Sequence, residues 1–169
     1  MPYLTKMMKK LGKTMEELFG NYASIIIFLH ILSAVIWVGG MIAIRFAVHP
    51  SLQSIDDPQI KLGKTLQIVG RLFNIVLPFI FISLTTALIM IIGAGFSGGI
   101  VHLKEAIWTL MTLNFIYMYI KRYKAVKLFN KGDLASSKKA VALLPTVLLP
   151  INIVLGLIAI FLGVTFRGF

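Results

Sequence analysis

The chain has 169 residues, 58% hydrophobic and only 14% charged, with a mean hydropathy of +0.90 and a net charge of +11. Soluble domains carry about 25% charged residues, so this composition argues against a soluble enzyme, a nucleic-acid-binding module and a disordered chain. Cysteine is absent, which excludes disulfides, iron–sulfur clusters and thiolate zinc sites.

At ~20 residues per bilayer crossing, the length suits four membrane helices with short loops. The basic excess then points to anionic lipid head groups and to topology, not to nucleic acid. Residues 1–20 lack the apolar core and cleavage site of a signal peptide. Leu4, Met7, Met8, Leu11, Met15 and Leu18 recur at helical spacing, with Lys6, Lys9, Lys10 and Lys13 on the other face. This pattern predicts an amphipathic helix in the membrane interface, closed by Gly20. Four apolar stretches follow, at about 22–48, 72–95, 101–120 and 140–166, and unbroken runs of this length select helix over barrel strand. Pro78, Pro145 and Pro150 are expected to kink the second and fourth spans. The predicted fold is all-α: an integral membrane four-helix bundle in residues 21–169, preceded by the interfacial helix.

The connections at about 50–70 and 121–139 share one side of the membrane; Phe96–Ile100 and both termini share the other. Eleven Lys and Arg fall on the first side and six, Arg167 among them, on the second. The positive-inside rule places the larger set in the cytoplasm of a bacterial inner membrane, with the termini outward.

No carboxylate falls deep in a span, no Ser-His-Asp or HExxH arrangement occurs, and GAGFSGG lacks the lysine of a phosphate loop. The informative residue is His30, inside the first apolar run. A histidine there must face the bundle and find a partner. It is either a structural residue hydrogen-bonded across helices, for example to a threonine hydroxyl, or an axial ligand of haem iron. Ala34, Trp37 and Met41 share its face, and Ser33, Gly39 and Gly40 are small enough for a helix or a flat ligand to approach. His102 opens the third span in the same half of the membrane and is the second candidate metal ligand, with Met90, and then Met111, as alternatives for a sixth ligand. The other reading of His102 is an interfacial histidine without a ligand. His49 is 19 residues beyond His30, roughly 28 Å along a helix, and cannot share its metal. Arg45 is read as snorkelling to head groups. Lys104 and Lys13 are the cations nearest to where haem propionates would lie.

The run LHILSAVIWVGGMIAIRFAVHP resembles the first helix of the HemJ-type protoporphyrinogen oxidases and their CopD-like relatives, through His30, Trp37, Gly39, Gly40, Arg45 and His49. GRLFNIVLP, with Arg71, Phe73 and Pro78, and VHLKEAIW, with His102 and Lys104, resemble the openings of the family's second and third helices. The resemblance implies haem b held by the first-helix histidine, and porphyrinogen oxidation with electrons passed to quinone or another respiratory-chain acceptor. It adds Trp37, Gly40, Arg71 and Lys104 to the cofactor-binding residues. WVGG is closer to the CopD-like form, which implies copper handling as the alternative. A third possibility is a non-catalytic subunit of a larger membrane complex or homo-oligomer, docked through the N-terminal helix.

Overall fold

The computed structural model describes residues 2–165, and every regular element among them is helical. Met1, Phe166 at the expected end of the fourth span, and Arg167 of the charge count lie outside the described residues. The helices are α1 (Pro2–Ala43), α2 (His49–Leu52), α3 (Pro58–Gly93), α4 (Gly99–Asn130), α5 (Leu134–Val141) and α6 (Leu149–Thr165). A π-helical turn, Ile44–Val48, joins α1 to α2, and another, Leu144–Leu148, leads into α6.

Local chemistry sets these boundaries. Asp57 caps α3, accepting from the N–H groups of Gln59 (2.7 Å) and Ile60 (2.9 Å), and Pro58 opens the helix where no N–H is needed. Asp133 caps α5 through the Ser136 N–H at 3.0 Å. Gly95 and Gly98 take positive φ at the two ends of the short α3–α4 connection, and Gly132 does so in the turn before α5. Each π turn lies just ahead of a proline, Pro50 or Pro150. Proline donates no hydrogen bond and its ring crowds the carbonyl four residues back; widening the ladder to i−5, as in His49 N–H to Ile44 O and Leu149 N–H to Leu144 O, relieves that conflict. Pro78, by contrast, lies inside the unbroken run of α3.

Three expected boundaries shift, one of them the end of α4, which lies at Asn130 and not near Ile120. The first helix does not close at Gly20; it runs on, with its break at Tyr22 (φ −128°, ψ 21°). The second starts at Pro58, not near Leu72, because Leu62, Leu66, Val69, Phe73, Val76 and Ile80 form one buried stripe at helical spacing. The polar character of residues 58–71 belongs to the outer faces of that helix.

Three helical segments, Tyr3–Leu52, Pro58–Gly93 and Leu134–Thr165, are long and apolar enough to cross a bilayer. The chain is a membrane protein, and large apolar side chains such as Phe28, Phe81 and Phe161 cover its outer surface. The fourth long helix, α4, packs with α3, α5 and α6. Its apolar stretch is bracketed by Lys104, Glu105 and Lys121 and interrupted by Asn114.

Close approach holds the bundle together. A Cβ at Gly156 of α6 would collide with Val38 of α1, and one at Gly40 would lie 2.7 Å from Leu72 of α3. Between these contacts, Phe115 meets Trp37 edge-on (6.2 Å between centroids) and Phe73 at 5.0 Å, pairs worth about 0.5–1.5 kcal/mol each beyond their burial. Asn114 of α4 donates to the Leu148 carbonyl and to Asn152 Oδ1, both at 2.8 Å, and Asn152 donates to the Met111 carbonyl at 3.3 Å. This amide pair clamps α4 to α6. At the terminal end, the N-terminal arm of α1 turns back over α3: a Cβ at Gly93 would lie 2.5 Å from the Met15 carbonyl oxygen and 2.8 Å from Phe19 Cβ.

Candidate functional site

His30 sits half-buried on α1, eight residues past the Tyr22 break, against α3. Its Nδ1 is 3.0 Å from Thr86 Oγ1. The Thr86 oxygen is also 2.7 Å from the Ile82 carbonyl and 3.1 Å from that of Ser83. Two oxygens at 2.7 Å need a hydrogen between them, so the single hydroxyl proton of Thr86 is committed to a backbone carbonyl. Thr86 must therefore accept, and His30 donates through Nδ1–H. A neutral imidazole in this arrangement carries its lone pair on Nε2. The two readings of His30 thus meet in one residue: the threonine contact exists, and it leaves the ring in the form that can ligate a metal.

Lys104 of α4 comes against Gly163 of α6 and lies within electrostatic reach of the His30 ring. The fold thus gathers His30, Thr86 and Lys104, from three helices, at the terminal end of the bundle. Met90 is one helical turn beyond Thr86 on α3 and is half-buried. Met111, the other methionine considered, is core: it is 4% exposed and its Cε would touch a Cβ at Gly156.

The remaining candidates disperse. His102 points away from the bundle, its side chain 78% exposed and its Nδ1 3.1 Å from Glu105 Oε2. Trp37 is in the core against Phe115, two turns from His30 on the same face, and its indole N–H has no partner among the described residues; Trp108 Nε1 and Thr112 Oγ1 are likewise buried without one there. Gly40 makes room for Leu72, and Arg71 is exposed on α3 in the other half of the bundle. Lys13 pairs with Glu17 at 3.8 Å on the exposed face of the arm. Arg45 lies over the ring of its neighbour Phe46, 5.6 Å from the centroid. Among the described residues no group of three or more His, Asp or Glu side chains gathers as a metal cluster.

A second site escaped the sequence reading. A cavity of about 560 Å³ opens at the connection end, walled by α2, α3, α5, both π turns and the first residue of α6, with Arg122 of α4 lining it. It contains His49 and none of His30, His102 or Lys104.

The chain is 30% identical over 157 residues to a protein of Aquifex aeolicus (strain VF5) described as an uncharacterized protein; the match covers 90% of this chain and 96% of the relative. The chain belongs to that protein's family. No protein-family profile matches the chain, and no solved structure does.

Proposed function

We propose that the protein is a b-type haem protein of the bacterial inner membrane that moves electrons, with porphyrinogen oxidation of the HemJ type as its specific form. The observation that carries this reading is the contact of His30 Nδ1 with Thr86 Oγ1. Metal-ligating histidines generally donate their second nitrogen to a fixed acceptor, which orients the ring and raises its basicity. Thr86 supplies that acceptor from a neighbouring helix, and its own proton is tied to its backbone.

The donor set fits haem. His30 would hold the iron, Lys104 offers a cation for a propionate, and Met90, one turn beyond Thr86, is the candidate for a second ligand because His102 turns outward. Bound haem would supply a one-electron couple able to exchange with quinone or another respiratory-chain acceptor. The chain's own part is to fix the imidazole, balance charge through Lys104 and keep water out with its apolar helices. The connections at 53–57 and 131–133 face the cytoplasm in this reading, following the basic excess on that side.

Spectra of the full chain purified from haem-replete cells test it. A Soret band should be present, be lost in His30→Ala and persist in His49→Ala. Imidazole added to His30→Gly should restore it, separating ligation from folding. Copper bound through His30 without a Soret band would overturn haem in favour of the CopD-like alternative.

A further inference from the structure

The cavity at the connection end combines an apolar wall with basic side chains. Ile44, Val48, Leu62, Val69 and Leu149 supply the wall; Lys61, Arg122 and Lys138 supply the charge, His49 adds a further polar group, and no carboxylate among the described residues lines it. Arg122 is the least expected of these. It occupies the buried stripe of α4 between Met118 and Ala125, lies over Gly70, where any Cβ would collide with its guanidinium, and donates Nε–H and Nη2–H to the Leu66 carbonyl at 3.1 and 3.0 Å. No carboxylate pairs with it among the described residues. A half-buried guanidinium held open beside a cavity, with donors left over and no counter-ion, is an anion receptor. Both π-helical turns of the described chain border the same cavity, and such turns collect at functional sites.

We infer that this cavity binds an anionic phospholipid of the leaflet that the connections face, its phosphate on Arg122, Lys61 and Lys138 and its upper acyl chain along the apolar wall. Charge complementarity selects an anion. The apolar wall and the position at the end of a membrane-crossing bundle, where head groups lie, select one with a lipid tail. The volume falls within the ~300–1,000 Å³ of ordinary ligand sites. The site is independent of the haem reading, since it shares no residue with the His30 cluster.

Thermal unfolding of the full chain in a neutral detergent tests the inference, with short-chain phosphatidylglycerol, phosphatidylcholine of equal chain length, and inorganic phosphate as probes. Phosphatidylglycerol should raise the midpoint saturably, and the other two should not. Arg122→Gln should abolish the rise. Lys61→Gln with Lys138→Gln, which leaves the Leu66 contact intact, should weaken binding by about tenfold or more, whereas Lys131→Gln with Lys139→Gln, outside the cavity, should not. An equal response to phosphatidylcholine, or full retention in the Lys61/Lys138 pair, would overturn the site. A response to inorganic phosphate that matches phosphatidylglycerol would overturn the lipid as its occupant.

Discussion

Asn152 of α6 is fully buried, and its amide reaches α4 at two points, Asn114 and the Met111 carbonyl. Replacing it with alanine removes packing and strands part of the Asn114 amide, so Asn152→Ala should lower stability in detergent by about 1–3 kcal/mol. Chemical or thermal unfolding of the two proteins measures this; an unchanged midpoint would mean the clamp is ornamental. Asp133 gives a pH-dependent case. The Ser136 backbone N–H, and then the Ser136 hydroxyl, hold its carboxyl below the ordinary value. A depressed value in the folded state makes the cap fully effective above the unfolded-chain pKa, and its contribution fades as pH falls through the folded one. Hydrogen exchange at the first amides of α5 should therefore quicken in acid, and Asp133→Asn, which caps without titrating, should remove that pH dependence. At this scale the sequence was partly legible. His30 stood out because a histidine in an apolar run demands a partner, and a threonine was one of the partners expected. Which threonine, and hence which tautomer, depends on the rotation of α1 against α3, and no local pattern encodes that. Arg122 was counted as a loop charge, although its spacing from Met118 and Ala125 placed it on a buried stripe.

The N-terminal arm of α1 shows what an element's pattern reveals and what it hides. Its amphipathic spacing is plain in the sequence, and Leu4, Met7, Met8 and Leu11 do remain exposed, as an interfacial face requires. Its seat on Gly93 was not visible, because a glycine near a helix end reads equally as a terminator. Gly93→Leu should lift the arm while leaving the bundle folded, seen as faster amide exchange over Met15–Phe19 with unchanged exchange in the core of α3. Gly20→Ala should instead stabilise by about 0.5–1 kcal/mol, since nothing lies within 4 Å of its added methyl and the helix continues through it. Helix existence was legible from apolar runs alone. Helix length was not, because the ends of α3 and α4 beyond the apolar core keep only one buried stripe and look like polar loops when read as averages.

For the whole molecule, the orientation proposed above rests on the uneven distribution of Lys and Arg. The chain has no cysteine, so single cysteines report without background. Cysteines at Ser54 and Ser136 should be shielded from an impermeant thiol reagent in intact cells, while one at Ser97 should react; all three positions are exposed on the protein surface. Labelling at Ser54 or Ser136 would reverse the topology. The same molecule keeps its two candidate sites at opposite ends: His30, Thr86 and Lys104 at one, Arg122 and the cavity at the other.

The π turn at Ile44–Val48 has a bearing on that separation. A helix is a periodic object in which each residue advances the azimuth by about 100°, so one surplus residue is a phase slip. Upstream of it, His30, Trp37 and Met41 are in phase with α3; downstream, His49 and Leu52 are aimed by a different origin. Deleting one residue from the turn would restore the ordinary ladder, and would swing Leu52 and His49 by about 100° out of the cavity without disturbing the azimuth of His30. A single continuous rod can in this way present two faces that answer to separate constraints, one at each surface of the membrane.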